Sequence, residues 1–156
     1  MNIKVVYNSI KNELKLVEKN LFELSDNEDP FISETVLKLL NAGGKRLRPA
    51  LLLLSSRSCN YSGDRDINLA TAIELIHTAS LVHDDVLDNA VVRRGDPTVN
   101  SHLGNKVSIL IGDYLYSRAF TILADDADRE IISSIGRATT IMTQGEISQI
   151  MNRNNP

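Results

Sequence analysis

Apolar residues recur at three- and four-residue steps along most of this sequence, and this periodicity constrains the fold more than any other feature. The first such stripe contains Ile3, Val6, Ile10, Leu14, Val17, Leu21 and Leu24. This spacing places the apolar side chains on one face of an α-helix. No stretch alternates apolar and polar residues with period two for long enough to form a strand. The pattern therefore predicts an all-α fold.

Breaks in the periodicity divide the chain into about six helices. They are predicted over residues 2–23, 32–40, 49–59, 66–87, 106–124 and 128–151. The paired Gly43 and Gly44 are expected to allow positive φ and to end the second helix sharply. Residues 89–104 contain Gly95, Pro97 and Gly104 and are predicted to be irregular. Because no repeat or linker composition interrupts 156 residues, we expect one domain over residues 1–156.

Charge and cysteine content argue against several classes of protein. The net charge of -3 provides no basic field that would attract nucleic acid or an anionic membrane surface. No segment approaches the ~18 apolar residues of a membrane span, and the N-terminus lacks the apolar core of a signal peptide. Cys59, the only cysteine, cannot form an intrachain disulfide and is expected to be buried. We expect a cytoplasmic protein.

One predicted helix carries the sequence HTASLVHDDVLD, from His77 to Asp88. At about 100° per residue, His77, Asp84 and Asp88 share a face, whereas Asp85 lies about a quarter turn away and is better placed to support the ligands. Mg²⁺ prefers one or two carboxylates together with water and phosphate oxygens. Three aspartates near a helix C-terminus repel one another and oppose the helix dipole. The segment therefore predicts a metal site at Asp84 and Asp88.

Basic clusters lie on both sides of this helix in the sequence. GGKRLRP, over Gly43–Pro49, precedes a predicted helix N-terminus, where free backbone amides favour an anion. Within it, Lys45 supplies a point charge and Arg48 a planar fork. Arg93 and Arg94 follow the last aspartate by five and six residues. Small basic clusters are usually solvated surface, but two that flank one metal-binding helix suggest a metal-bound diphosphate substrate.

GGKRLRP, ELIHTASLVHDDVLD and RRG, in this order and at these separations, resemble the motifs of the trans-isoprenyl diphosphate synthases, the polyprenyl synthetase family. GDYL at Gly112–Leu115 and QGEISQ at Gln144–Gln149 extend the resemblance over essentially the whole chain. It implies an antiparallel helical bundle of the isoprenoid synthase type. It also implies a prenyltransferase, in which an allylic diphosphate ionises, isopentenyl diphosphate attacks the carbocation, and a proton is lost.

The resemblance assigns roles to the site residues. Asp84 and Asp88 would hold Mg²⁺ that bridges to the allylic diphosphate, and Arg93 would bind the same diphosphate; these three are the expected catalytic residues. The residues that would bind isopentenyl diphosphate are Lys45, Arg48, His77 and Arg94. In this family a bulky residue four or five positions before the first aspartate limits the product length. The small residues found at those positions, Ser80 and Ala79, imply a product longer than farnesyl diphosphate, with Ile76 and Ile73 as candidate floors.

The family pattern continues into a second half, with a Lys-Thr pair and a second aspartate-rich motif, and this sequence contains neither. The cluster of Asp125, Asp126 and Asp128 has the wrong spacing to replace that motif. We therefore expect an N-terminal portion of a synthase, without the C-terminal helices and inactive alone. It should associate through the apolar surface that those helices would cover, or form the homodimer that the resemblance implies.

Two alternatives remain open from the residues. One is a non-catalytic regulatory subunit of a heteromeric prenyl synthase, although a scaffold has no need of six metal and diphosphate positions. The other is an HD-type metal phosphohydrolase that uses His83 and Asp84. His83 lies on roughly the opposite helix face from His77, so the two histidines do not easily share an ion. A histidine hydrogen-bonded within the bundle is the better interpretation of His83.

Overall fold

The computed structural model describes residues 3–26, 29–42 and 44–152 and confirms the all-α fold. Its helices are α1 (Ile3–Ser9), α2 (Lys11–Glu23), α3 (Pro30–Asn41), α4 (Leu47–Ser58), α5 (Arg65–Leu87), α6 (Val99–Leu103), α7 (Asn105–Asp126) and α8 (Arg129–Asn152). Two short strands, β1 (Val92–Arg93) and β2 (Asp96–Pro97), pair antiparallel. The described residues thus form eight helices where about six were predicted, because the first predicted helix is divided and α6 lies in the predicted loop.

The single helix predicted over residues 2–23 is wrong, because the helix breaks at Ile10. Ile10 adopts φ -117° and ψ 20°, and its carbonyl accepts the amide of Leu14 at 2.9 Å as α2 begins. The side chain of Ile10 is fully buried, as are those of Val17 and Leu21. The apolar stripe therefore continues across the break, which explains why periodicity did not reveal it.

Residues 89–104 contain more regular structure than predicted. The β1–β2 hairpin turns at Arg94 and Gly95, which have φ of 55° and 95°. Thr98 then caps α6 by accepting the amide of Ser101, and its hydroxyl donates to the carbonyl of Ala90 at 2.7 Å. Strands of two residues are too short to show an alternating pattern, so the expectation of no strands was wrong here.

The loop before α4 differs from its prediction at the glycines. Gly43 lies outside the described residues, and Gly44 is not in the left-handed region. Arg46 takes that conformation instead, with φ 45°, and α4 begins immediately after it at Leu47. At the other end of α4, Cys59 is exposed, so the expectation that it is buried was wrong.

Helix α5 occupies the centre of the fold and packs against α2, α4 and α7. Its buried apolar side chains are Ala70, Ala72, Leu75, Ile76, Ala79 and Val82, and those of α7 are Ile111, Leu115, Ala119 and Leu123. Gly112 allows close approach of the two helices, because an added Cβ would lie 2.2 Å from Nε2 of His83. That Nε2 lies 3.1 Å from the Ile109 carbonyl oxygen, and the ring stacks on Tyr116. The interpretation of His83 as a bundle histidine is confirmed.

Helix α7 is long and apolar enough to cross a membrane by length and composition, the one such helix among the described residues. The prediction that no segment approaches a membrane span was therefore wrong for this helix. A core helix of a globular protein meets the same criteria. Because its buried residues lie in the contact with α5, packing accounts for the composition of α7.

Helix α8 contains no buried residue in its described length. Ile132 and Ile135 are partly buried against the core. Toward the C-terminus its exposed apolar residues are Ile141, Met142, Ile147, Ile150 and Met151. The chain thus exposes an apolar surface, as the sequence predicted.

We expect Gly112→Ala to lower the free energy of unfolding by about 1–3 kcal/mol, because the added methyl group forces apart a packed contact. Gly136→Ala is the matched control, since a Cβ there meets nothing within 4 Å. In the control, alanine should be neutral or should stabilise the helix by up to about 1 kcal/mol. Urea unfolding measures both changes; equal stability of the Gly112→Ala variant and the wild type would contradict the packing.

Candidate functional site

A cavity of about 410 Å³ lies between the loop before α4, helix α5 and the turn of the hairpin. The four predicted isopentenyl diphosphate ligands, Lys45, Arg48, His77 and Arg94, all line it. The other lining residues are Ala42, Gly44, Arg46, Leu47 and Glu74. The fold thus brings together Lys45 and Arg94, which are 49 positions apart in the sequence. Their roles as ligands remain a prediction.

Local backbone geometry positions the basic side chains of this cavity. The carbonyl of Lys45 accepts the hydroxyl of Tyr7 at 2.8 Å, which ties the loop to α1. Arg48 lies in the first turn of α4. Arg94 occupies the left-handed turn of the hairpin, and a Cβ added at Gly44 would lie 3.1 Å from its Nη1. A glycine at position 44 therefore leaves room for the Arg94 guanidinium.

The electrostatic environment of His77 keeps its imidazole neutral at physiological pH. Burial lowers the pKa of His77 to about 4, and the positive charges of Arg48, Arg94 and Arg93 contribute to the decrease. A neutral imidazole still offers one N–H donor to a phosphate oxygen. The cavity is therefore strongly positive before any anion binds, and an anion would offset the mutual repulsion of its cations.

Asp84 and Asp88 lie one turn apart at the C-terminal end of α5, where the amide of Asp88 donates to the carbonyl of Asp84 at 2.8 Å. Burial raises the pKa of Asp84; Glu146, Asp88 and Asp85 raise it further, and Arg93 opposes the rise. No group of three or more His, Cys, Asp or Glu in the described part of the chain is placed to hold a metal. The pair nevertheless fits Mg²⁺, which takes its remaining ligands from water and phosphate.

The structure gives Asp85 a partner that the sequence did not predict. Its Oδ1 accepts Nε of Arg93 at 2.7 Å, and its side chain is only 8% exposed. Its carbonyl accepts the amide of Ala90 at 2.9 Å and Nδ2 of Asn100 at 3.2 Å. Asp85 therefore holds Arg93 and the loop around the hairpin. Arg93 lines a smaller neighbouring cavity with Asp85 and does not line the large one.

The predicted chain-length residues have different surroundings. Ala79 is fully buried in the core, and Ile76 is 8% exposed. Ser80 is half-buried, and its hydroxyl donates to the carbonyl of His77 at 2.8 Å. Ile73 is also half-buried. Among these positions, Ser80 and Ile73 have the most accessible surface with which to contact a hydrocarbon chain.

Glu146 lies in the QGEISQ segment, and no role was predicted for it from the sequence. Ile132, Ile135, Thr139 and Glu146 are half-buried and recur at helical spacing, so they define the inward side of α8. Glu146 is close enough to Asp84 to affect its pKa. The helical phase of α8 is the signal that could have identified it. Tyr116 is similarly close, because burial and the charge of Asp84 both raise its pKa.

Residues 29–156 match the polyprenyl synthetase family. The chain belongs to this family. It is 37% identical over 156 residues to octaprenyl diphosphate synthase of Haemophilus influenzae, covering 100% of this chain and 47% of that protein. It is 37% identical over 153 residues to heptaprenyl diphosphate synthase component 2 of Geobacillus stearothermophilus, covering 98% of this chain and 48% of that protein.

Solved structures agree with the membership of the polyprenyl synthetase family. The polyprenyl synthase of Caulobacter crescentus, complexed with calcium and isoprenyl diphosphate, superimposes with a TM-score of 0.93 and is 30% identical. The superposition covers 97% of this chain and 46% of that one. The expected bundle of the isoprenoid synthase type is confirmed. The chain spans about half the length of the relatives it matches.

The polyprenyl synthetase chain is expected to lose stability in acid through His77. The folded-state pKa of about 4 lies below the usual 6.5, so between these values the unfolded chain binds more protons. The contribution of His77 to the free energy of unfolding therefore decreases as the pH falls through this window. We expect the stability of the wild type relative to His77→Asn to be lower at about pH 4.5 than at about pH 7.

Urea unfolding of both proteins at each pH measures this difference, and the comparison cancels the titration of carboxylates common to both. A difference that does not change with pH would contradict the neutral, desolvated environment assigned to His77.

Proposed function

We propose that the protein functions as a polyprenyl diphosphate synthase that condenses an allylic diphosphate with isopentenyl diphosphate. One observation supports this most directly: Lys45, Arg48, His77 and Arg94 line a single cavity on α5, the helix that carries Asp84 and Asp88. A strongly cationic cavity near two carboxylates suits one diphosphate bound directly and a second bound through a cation. The complete reaction is proposed for a protein of the full length of these relatives, and not for the present 156 residues alone.

The residues of the large cavity would bind isopentenyl diphosphate. Arg48 and Arg94 offer planar forks that match phosphate oxygens, Lys45 adds a point charge, and neutral His77 donates one hydrogen bond. Binding the diphosphate at these four positions would hold the rest of isopentenyl diphosphate in a fixed orientation. Fixed orientation of two reactants removes much of the entropic cost of bringing them together.

Asp84 and Asp88 would hold Mg²⁺, which when bound would spread the negative charge of the leaving diphosphate. Arg93 would contribute to the same diphosphate with Nη atoms, since its Nε is bound to Asp85. The small, half-buried Ser80 would leave space beside the metal-binding end of α5 for a growing chain, and half-buried Ile73 would lie deeper as a floor. This supports a product longer than farnesyl diphosphate.

The exposed apolar residues of α8 support association of the chain, for example as a homodimer. We also propose that the protein is cytoplasmic. A second arrangement is favoured by the name of one relative, heptaprenyl diphosphate synthase component 2, which points to a partner subunit in that protein. In that arrangement this chain would be one component of a heteromeric synthase. Light scattering distinguishes self-association from a monomer, and copurification with a second synthase component would favour the heteromer.

We expect this chain to bind inorganic diphosphate, and Lys45→Ala or Arg48→Ala to raise the Kd about tenfold or more. A charge-assisted hydrogen bond contributes about 1.5–3 kcal/mol, which corresponds to such a factor. Lys19→Ala is the matched control, because Lys19 forms an exposed ion pair with Glu23 on α2. Titration calorimetry measures the three values. Equal losses in all three variants would indicate nonspecific attraction and contradict the site.

We expect Asp84→Asn and Asp88→Asn to weaken binding of Mn²⁺, a probe for Mg²⁺, by about tenfold in the presence of diphosphate. Asp125→Asn is the control, since Asp125 is exposed in a different acidic cluster. Electron paramagnetic resonance of free Mn²⁺ measures the affinity without a catalytic assay. Unchanged affinity in both α5 variants would remove the metal site from the proposal.

A further inference from the structure

Arg46 lies in the middle of the GGKRLRP motif, yet its side chain is directed into the protein, away from solvent. Its Nε donates to Oε1 of Glu18 at 2.6 Å, and its Nη1 to Oε1 of Glu74 at 3.2 Å. Its Nη2 donates to Oε2 of Glu18 at 3.3 Å and to the carbonyl of Leu40 at 3.1 Å. The side chain of Arg46 is 12% exposed and that of Glu74 is 5% exposed. One guanidinium therefore joins α2, the end of α3 and α5.

The backbone of Arg46 is as unusual as its side-chain contacts. Its φ of 45° lies in the left-handed region, where the Cβ of a residue other than glycine crowds the backbone. Such a conformation persists only where surrounding contacts hold it. Here the contacts are the two carboxylates and the Leu40 carbonyl. This left-handed turn connects Lys45 to α4, which begins one residue later and contains Arg48 in its first turn.

Arg46 lines the large cavity, but its positive charge is already paired with carboxylates of the protein. Each of its three nitrogens donates to a protein oxygen, and two carboxylates surround it. Burial alone would lower the pKa of Arg46, but the hydrogen bonds and charges of Glu18 and Glu74 outweigh burial and raise it. Glu74 precedes His77 by three residues on α5, so the two lie on neighbouring positions of one helix face.

We propose that Arg46 is a positioning residue for the diphosphate cavity. Its clamp onto Glu18 and Glu74 fixes the left-handed turn and thereby sets the positions of Lys45 and Arg48 relative to His77. The identity of the anion rests on the proposed function, whereas the clamp itself rests on the contacts of Arg46. A lysine cannot reproduce this clamp, because one ammonium group cannot span two carboxylates and a carbonyl with the planar geometry of a guanidinium.

The test compares Arg46→Lys, Arg46→Met and Glu74→Gln with Arg57→Met. Arg57 is the matched control, because it lies at the other end of α4 and also pairs with a glutamate, Glu13, and neither residue lines the cavity. Two quantities are measured at a temperature where circular dichroism shows each variant to be folded. They are the Kd for inorganic diphosphate by calorimetry and the pKa of His77 by proton NMR.

We expect Arg46→Lys and Glu74→Gln to raise the Kd about tenfold, as expected for loss of one well-placed charged contact. In Arg46→Lys we also expect the pKa of His77 to rise toward its usual value, because Arg48, whose charge lowers that pKa, loses its fixed position. Arg57→Met should lower the thermal midpoint without changing either quantity. If the Arg46→Met variant does not fold, Arg46→Lys and Glu74→Gln decide the question.

A wild-type Kd and an unchanged His77 pKa in folded Arg46→Lys and Glu74→Gln would overturn the proposal, because a purely structural residue changes only stability. If the wild type binds no diphosphate, the proposed function fails instead. In that case the His77 pKa still decides the role of Arg46, since it reports the positions of the neighbouring cations without a ligand.

Discussion

The packing of α5 against its neighbours is the constraint on which the rest of the structure depends. This helix supplies core side chains along its length and also carries His77, Asp84 and Asp88. Interiors are packed as densely as organic crystals, so a helix held on several sides has little freedom to rotate or slide. The direction of each polar side chain on α5 is therefore fixed by the apolar residues between them. The packing of the core therefore fixes the geometry of the site.

Two clusters of like charge lie on this one helix and its flanking loops. On one side, burial and the neighbouring arginines lower the pKa of His77; at the C-terminal end, burial and neighbouring carboxylates raise the pKa of Asp84. Each cluster reduces stability in the free chain and is relieved by a ligand of opposite charge. Such arrangements are typical of functional sites, where stability is lower than packing alone would permit. A diphosphate and a divalent cation are the ligands whose charges fit.

Much of the fold and part of the site could be predicted from periodicity. The helical spacing located the long helices, and the phase of α5 correctly placed Asp84 and Asp88 one turn apart. The convergence of GGKRLRP, His77 and Arg94 was expected only from resemblance, because no local rule joins a loop, a helix and a hairpin turn. The break between α1 and α2 at Ile10 could not be predicted, because the apolar stripe continues across it without a change in spacing.

Residues whose roles depend on tertiary partners could not be assigned. Arg46 and Arg48 look alike in the sequence, but Glu18 and Glu74 hold only the first. Asp85 looked like a support for metal ligands, yet it pairs with Arg93, eight positions later in the sequence. Glu146 lies near Asp84 only because α8 turns one side inward. In each case the partner lies in another element, and its distance is set by packing that a single sequence does not encode locally.

The most direct measurement of the central claim is the pKa of His77 by NMR, with and without saturating inorganic diphosphate. An anion bound among Lys45, Arg48 and Arg94 would offset the repulsion of the imidazolium by the two arginines and favour the charged ring. We predict that the pKa of His77 rises from about 4 in the free chain when diphosphate binds. A pKa of His77 that stays the same while diphosphate binds would place the anion elsewhere and contradict the assignment of this cavity.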